Sequence, residues 1–504
     1  MTPSPHDIIL HQPGVGWLHF RHPRHIIAAH TLEGVLPALR DIEASVETEH
    51  LYAAGWIAYE AAPAFDPALT AHPPTGELPL LWFGLYSAPV TLSSLPAPAA
   101  SHHLGPFAPS VSRQDYDAAI AAIKTHIARG ETYQVNFTFR LRLPFEGDAW
   151  SLFHSLVRAQ GAGYAAYVDA GRFVVCSASP ELFFTQTGDL LESRPMKGTA
   201  PRGRTLAEDE ALAAQLRASE KNRAENVMIV DMIRNDLGRI AETGSVRVPA
   251  LFSTERYPTL WQMTSTVQAR SRGPLSQTLA ALFPCASITG APKVSTMRII
   301  AALEDTPRGV YTGAIGFMGP GRTAQFNVAI RTAVIDRASG QAEYGLGGGV
   351  VWDSTPGGEY DEALLKARVL TAPPRPDFQL LETLLWTPSD GYWLKERHIA
   401  RMVESAAYFG FPAAPGEIAA YLDATAAHFH KPQRVRLLMD EAGRLSHEST
   451  DFTPADNPPP IRAALAAQPV HSRDIFLFHK TTHRQVYDHA RAARPGVEDV
   501  LLFN

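Results

Sequence analysis

The residues with the clearest capacity for chemistry are one lysine and a set of glutamates. Lys197 lies in Ser193-Arg194-Pro195-Met196-Lys197-Gly198-Thr199-Ala200, between a stiff Pro-Met and a permissive Gly-Thr. Proline fixes the backbone just upstream, and glycine lets the chain approach a ligand closely. The sequence holds 45 Lys and Arg against 51 Asp and Glu, so no basic patch accounts for this lysine. Composition alone would place it in a surface turn. The chemical alternative is an amine held against a substrate and kept neutral by desolvation or a nearby cation, hence nucleophilic. Glu181 follows Pro180 directly in SASPELF, at a predicted strand end, where a plain turn carboxylate is the bland reading. Glu225 precedes Met228 and Ile229 by one helical turn in a largely apolar stretch, on the side expected to face inward. Asp231, Arg234 and Asp236 are further charges there, and a buried unpaired charge is expensive. Asp231 and Arg234 can pair with each other at i,i+3. Glu225 has no such local partner, which strengthens the case that it holds a metal. Glu359, Glu362 and Lys366 share one helical face just after Gly347-Gly348-Gly349. That face is either a solvated salt-bridge face or a carboxylate and divalent-metal site, since Mg2+ chooses oxygen ligands.

The elements that must position these residues follow from pattern and punctuation. At 504 residues the chain is expected to form two or three domains with ample core. A hydrophobic fraction of 45% and a charged fraction of 19% are those of a globular protein. The net charge of -6 argues against nucleic acid as a partner. Cys176 and Cys285 cannot build a disulfide framework, which fits a reducing, cytoplasmic setting. MTPSPHDIILHQPG lacks the basic and apolar regions of a signal peptide, and no run is long enough to span a membrane. Residues 1–91 read as short strands and turns, with strands at 55–69 and 78–86, and 92–112 as a Pro/Ala/Ser-rich connector. Ser112 caps a helix with Asp115 at the capping-box position and Tyr116, Ile120, Ile123 and Ile127 on its apolar face; Gly130 stops it. Strands are expected at 131–143 and within 163–188, and a long buried helix at 219–240. Thr289 is expected to cap a helix with Pro292 in its first turn, where free N–H groups and Lys293 would favour an anion; an ordinary capped helix is the alternative. Paired strands are expected at 308–318 and 323–335; Arg331 follows the apolar run FNVAI, so its head needs an anion or a carbonyl. The three glycines at 347–349 permit close backbone approach to a ligand.

Taken together, YQVN (133–136), SPELF (179–183), RPMKGTAPRGR (194–204), EKNRAENVMIVDMIRNDLGRI (220–240), TGAPK (289–293), YTGAIG (311–316), FNVAIRT (326–332) and GGGVVWDSTPGGEYDEALLKA (347–367) resemble the chorismate-utilising enzymes: anthranilate, aminodeoxychorismate and isochorismate synthases. The resemblance implies an α/β (α+β) domain over 1–372, with its core at 113–370. In it two β-sheets pack face to face, flanked by helices, with the active site between the halves. Lysine at 197 is similar to the aminodeoxychorismate synthase branch, because anthranilate and isochorismate synthases carry a small residue there. By resemblance Lys197 attacks C2 of chorismate while the C4 hydroxyl departs, Glu181 is the general acid, and ammonia then takes C4 and expels the lysine. The product would be 4-amino-4-deoxychorismate, on the way to 4-aminobenzoate and folate. Glu225 and Glu362 would bind Mg2+, with Glu359 in support, and the metal would lower the pKa of Lys197. Gly198, Thr199, Thr289, Lys293, Tyr311, Arg331, Gly347, Gly348, Gly349 and Lys366 would hold the substrate, and Arg234 matches an active-site arginine. Gln262 stands where many relatives have histidine, which counts against aromatisation to anthranilate. No LLES-type tryptophan site is found in 1–91. Nor is there a glutaminase motif, so ammonia is expected from a separate glutamine amidotransferase subunit.

TAPPRPDFQ (371–379) reads as a linker. Beyond it, LLETLLW (380–386), WLKERHIARMVESAAYFGF (393–411), RVRLLMDEAGRL (434–445) and FLFHKTTHRQVYDHAR (476–491) resemble aminodeoxychorismate lyase, a fold-type IV pyridoxal-phosphate (PLP) enzyme. The resemblance implies that Lys480 is the Schiff-base lysine and Arg397 a phosphate contact. Members of that family continue past the equivalent of residue 504, and the further stretch supplies the acid for the pyridinium nitrogen. Segment 380–504 is therefore expected to hold a small domain plus part of a larger one, with lyase activity weak or absent. The alternative is a bifunctional enzyme that also releases 4-aminobenzoate and pyruvate.

Overall fold

The computed structural model describes residues 3–75, 77–161, 163–371, 376–453 and 460–504. The chain divides into two compact units, one of residues 1–199 and 216–374, the other of 200–215 and 375–504. Of the expected linker, residues 372–375 lie outside the described residues.

In the first unit, two mixed-order, antiparallel sheets of 11 and 10 strands are formed by the described residues. Ile8, Leu10, Leu18 and Phe20 from one sheet and Trp56, Trp82, Ile315 and Phe317 from the other share one buried cluster, so the sheets pack face to face. Each outer face carries its own apolar cluster under helices. This is the α/β architecture expected from the sequence. At two places the chain changes sheet within a few residues. Strand Phe173–Ser177 lies in the larger sheet and strand Leu182–Thr187 in the smaller; strand Thr323–Val328 lies in the smaller and strand Thr332–Asp336 in the larger. The expected strand at 323–335 is thus broken at Ala329–Arg331, where Arg331 takes φ 53°. The two crossings are tied together: the Ala178 N–H donates to the Arg331 carbonyl at 3.0 Å, and the Val328 N–H to the Glu181 carbonyl at 3.1 Å. Glu181 and Arg331 therefore sit at sheet-switch points, where backbone is free to present side chains inward.

Local signals hold in part. Helix Arg113–Ala128 is capped by Ser112, whose Oγ accepts from the Asp115 N–H at 3.1 Å, and it buries Tyr116, Ile120 and Ile123. Helix Lys293–Leu303 starts one turn later than Thr289 predicts: Pro292 is its N-cap, and the Thr289 hydroxyl instead donates to the Cys285 and Ala286 carbonyls. The expected strand at 55–69 is only partly one. Strand Tyr52–Ile57 gives way to a 3-10 turn, Tyr59–Ala61, and the short helix Ala62–Phe65. Helix Glu220–Gly238 buries one face only, that of Asn226, Ile229, Val230, Ile233, Asp236 and Leu237.

In the second unit, strands Leu380–Thr387, Gln433–Met439 and Leu445–Asp451 form a sheet on which helices Lys395–Phe409 and Pro415–Ala426 pack through Ile399, Met402, Ala406, Ile418 and Leu422. The helix Lys395–Phe409 ends at Gly410, which takes the left-handed conformation (φ 80°) that glycine adopts without steric cost.

Candidate active site

Lys197 lies on strand Met196–Pro201, at the edge of the smaller sheet, beside strand Leu260–Arg270. Facing it is strand Gln341–Val350 of the larger sheet, whose glycines make room. A Cβ on Gly349 would lie 2.0 Å from the Gln134 amide nitrogen and 2.8 Å from Lys197 Nζ. A Cβ on Gly345 would lie 2.1 Å from the Tyr311 ring. On the opposite pleat, a Cβ on Gly348 would lie 3.2 Å from Glu359 Oε2 and 3.6 Å from Lys366 Nζ. The glycine run thus lets one strand touch three groups of side chains that any other residue would push away.

The electrostatics of this place are those of a half-buried amine and a buried acid. Desolvation lowers the pKa of Lys197, against the pull of Glu225 and Glu181. Desolvation also raises Glu181 to about 7, with Ser287, Lys197 and the Met196 amide working the other way. Glu181 is 3% exposed, and its Oε1 has no hydrogen-bond partner. Gln134, 1% exposed, likewise has a buried amide oxygen without a partner. Both orphaned atoms are costly unless a ligand satisfies them. Sequence reasoning missed Gln134. Its only signal was its place in YQVN, and nothing local shows that it reaches the lysine.

Helix Pro356–Ala367 supplies the remaining charges. Lys366 Nζ donates to the Gly347 carbonyl at 2.8 Å and pairs with Glu362 at 2.9 Å, and this pairing lowers the Glu362 pKa. Glu359 accepts from the Ser354 hydroxyl at 2.6 Å. Arg331 donates to the Lys366 carbonyl at 3.0 Å, the carbonyl partner its apolar setting required. Tyr311 is buried, with the Arg140 guanidinium 5.3 Å from its ring centroid and its pKa raised by desolvation. Gly198 takes φ 96°, which a side chain would disfavour.

Several expected site residues lie elsewhere or are otherwise engaged. Arg234, expected as an active-site arginine, is exposed and pairs with exposed Asp231 at 2.6 Å in a surface ion pair. The helical position explains this: both residues fall off the buried face. Only Asp236 of those charges is buried, and it takes Lys293 as its partner at 2.8 Å. Lys293 also donates to the Leu282 carbonyl, so its ammonium ties helices together. Thr199 is exposed, with its hydroxyl donating to Gln262 at 3.2 Å. Glu225, Glu359 and Glu362 are oxygen donors suited to a hard dication, and Glu225 and Glu362 both act on Lys197. Yet no group of three or more His, Cys, Asp or Glu poised to hold an ion occurs among the described residues. The set fits Mg2+ in chemistry.

In the second unit, Lys480 lies between the buried His479 and Thr481, and Leu381 donates its N–H to the Lys480 carbonyl at 2.9 Å. Desolvation lowers the Lys480 pKa, against the pull of Glu382 at 4.0 Å. Buried Glu382 also takes His398 at 2.7 Å and Arg401 at 2.5 Å. Arg401, not Arg397, is the arginine in this cluster; Arg397 is exposed on the same helix. The sequence signal was available, since Arg401 lies one turn beyond His398. A partly desolvated amine near an arginine and a histidine fits a phosphate-bearing aldehyde such as PLP in kind.

Comparison with known proteins bears on the family and the fold. Residues 9–372 match the family described as chorismate binding enzyme, and residues 379–504 match amino-transferase class IV. The chain belongs to the chorismate binding enzyme family. It is 40% identical over 300 residues to aminodeoxychorismate synthase component 1 of Bacillus subtilis, a match covering 59% of this chain and 62% of that protein. It is 38% identical over 291 residues to anthranilate synthase component 1 of Streptomyces coelicolor, covering 56% of each. The chain thus matches less than two thirds of either relative's length. Its fold is that of the crystal structure of anthranilate synthase component I from Streptococcus pneumoniae, with a TM-score of 0.63, 23% identity, and coverage of 74% of this chain and 94% of that one. Among the described residues no helix is long and apolar enough to cross a membrane.

Proposed function

We propose that the first unit aminates chorismate to 4-amino-4-deoxychorismate through a covalent adduct on Lys197, with ammonia delivered by a glutamine amidotransferase partner, in the route to 4-aminobenzoate and folate. The observation that carries this reading is the placement of Lys197 Nζ against the glycine strand, 2.8 Å from where a Cβ on Gly349 would stand, with the buried Glu181 carboxyl acting on it. The neutral Nζ forms a bond to ring C2 as the conjugated double bonds shift and the C4–O bond breaks. Glu181 gives its proton to the departing oxygen, which leaves as water. Ammonia then bonds to C4, the double bonds shift back, and the C2–Nζ bond of the protonated adduct breaks to release the neutral lysine amine, while the proton carried in on the new C4 nitrogen returns to the Glu181 carboxylate. Splitting one displacement into two in this way is the gain of covalent catalysis. Glu225 and Glu362, with Glu359, would hold Mg2+, which would neutralise the ring carboxylate among these acids. Arg331, Tyr311, Lys366 and the glycine strand would enclose the ring.

The aminodeoxychorismate synthase relative supports this product, and the anthranilate synthase relative supports the scaffold with a different one. Lysine at position 197 favours the first. Chorismate, Mg2+ and ammonium supplied to the protein should yield 4-amino-4-deoxychorismate by mass spectrometry. Without ammonium, the intact mass should rise by an adduct that Lys197→Ala abolishes. Anthranilate as the product, or an adduct that persists in K197A, would overturn the proposal.

A second reading concerns the other unit. The Lys480 amine beside Arg401 and Glu382 supports PLP binding there. Borohydride reduction with PLP should then label Lys480 in a peptide map, and label found only on other lysines would refute it.

A further inference from the structure

Behind the site lies a set of charges that the proposed chemistry does not use. Arg140, Glu304, Arg308 and Glu60 are 1%, 5%, 2% and 3% exposed. Burying two guanidinium and two carboxylate groups costs heavily unless each is bonded, and such clusters are poor devices for stability alone. Here each group is bonded, although Arg140 Nε keeps no hydrogen-bond partner. Arg308 Nε and Nη2 grip Glu304 at 2.9 and 2.6 Å. Its Nη1 donates to the Ile288 carbonyl at 2.9 Å, and Nη2 also to the Asn136 carbonyl at 2.7 Å. Glu304 accepts from both the N–H and the hydroxyl of Thr138 at 2.8 Å. Glu60 anchors the backbone below, accepting the Arg308 N–H at 2.6 Å and the Gly309 N–H at 2.9 Å. Arg140 donates to the Thr138 hydroxyl at 2.9 Å while its guanidinium covers the Tyr311 ring.

The three acceptors of Arg308 lie on three separate segments of the first unit. Ile288 adjoins Thr289. Asn136 adjoins Gln134's strand neighbours and pairs in register with Gly349. Glu304 ends the helix that begins beyond Pro292. Arg308 itself leads into Tyr311 and Thr312. Thr312 is fully buried, β-branched and held at φ 60°, a conformation that persists only where its surroundings impose it. Its N–H is fixed on the Ala329 carbonyl at 2.8 Å, next to the sheet switch that presents Arg331.

We infer that Arg308 is a positioning residue: its guanidinium, oriented by Glu304, fixes the spacing between the Tyr311 turn, the 286–289 loop and the Gly349 strand, so that the space for a cyclic carboxylate is formed before substrate arrives. The inference rests on the chorismate reading above. A planar fork can serve three acceptors at fixed angles, whereas lysine keeps the charge but offers a single point. The test is R308K, with chorismate affinity measured by calorimetry and KM for chorismate and for ammonium measured separately. The Kd and KM for chorismate should rise about tenfold or more, with KM for ammonium within about twofold and the near-UV circular dichroism retained, because displacement of contacts by a fraction of an ångström is costly to binding geometry. Chorismate Kd and KM unchanged in a folded R308K would overturn the positioning role alone. Wild-type protein that neither binds nor turns over chorismate would overturn the amination reading, and this inference with it. Should R308K fail to fold, T138V carries the test: it removes one hydroxyl from Glu304 and Arg140. It should raise chorismate KM about threefold or more without changing that for ammonium; an unchanged chorismate KM there overturns the inference too.

Discussion

Glu181 and Lys197 meet opposite demands by one means. The acid must keep a proton near neutral pH and the amine must lose one, and burial favours the uncharged form of each. Since desolvation lifts Glu181 to about 7, its protonated fraction falls as pH rises through neutrality. The rate of the adduct-forming step should therefore decline on the alkaline side of about pH 7. E181Q cannot donate a proton, so it should lower kcat by about 10²- to 10⁴-fold and leave no alkaline decline near neutrality. A pH–rate profile settles it: an E181Q enzyme with the wild-type alkaline limb would show that some other group is the acid. The corrections at this scale have a shared cause. Lys293 and Arg234 have the charge a substrate site wants, yet each is matched by an aspartate from within the fold. Charge type is legible in sequence, but which partner reaches it first is not.

At the scale of elements, the glycine strand Gln341–Val350 separates function from stability within three residues. A Cβ at Gly349 would strike the ends of two flexible side chains, Gln134 and Lys197, which can move aside. A Cβ at Gly347 would lie 2.3 Å from the Phe137 carbonyl oxygen, which is backbone and cannot. G349A should therefore melt near the wild-type temperature while losing most of its adduct formation. G347A should lose about 1–3 kcal/mol of stability, as overpacked sites do. Thermal melts and intact-mass trapping on the pair check this, and a G349A that traps adduct at the wild-type rate would refute the crowding at Lys197. The glycines themselves announced close approach, and the capped helix Arg113–Ala128 was legible from Ser112 and its apolar spacing. The helix Glu220–Gly238 was legible in extent but not in burial, because counting apolar residues hid that Asp231 and Arg234 fall off the i, i+3, i+4, i+7 face. The break at Ala329–Arg331 left no local mark. FNVAIRTAVI reads as one strand, and only pairing with two different sheets divides it.

Across the whole molecule, two family matches succeed one another along the sequence, but the compact units do not follow that order, since 200–215 joins the second. The linker composition at 371–379 pointed to one cut; the second and third lie inside the first family's range, where no composition shift marks them. What holds 200–215 is polar. Arg202 donates to fully buried Asp209 at 2.7 Å and to the Tyr408 carbonyl at 3.0 Å, Tyr408 returns a hydroxyl to the Gly203 carbonyl at 2.7 Å, and buried His479 bridges the Arg204 carbonyl and the Ser405 hydroxyl at 3.0 Å each. Desolvation lowers the His479 pKa to about 4, below its ordinary value of 6.5. Between those two values the unfolded chain binds a proton that the folded unit refuses, so stability rises with pH across that window and is lost as pH falls from 6.5 towards 4. The loss should approach about 3 kcal/mol once both values are passed. Hydrogen exchange of helix Lys395–Phe409, followed from pH 7 to pH 4 after correction for intrinsic rates, reads the second unit alone. Its protection should fall over that range in the wild type. H479Q keeps a hydrogen-bonding side chain without a proton to gain, and should remove most of the fall; a slope equal to the wild type would assign it to other groups and leave His479 a neutral spacer.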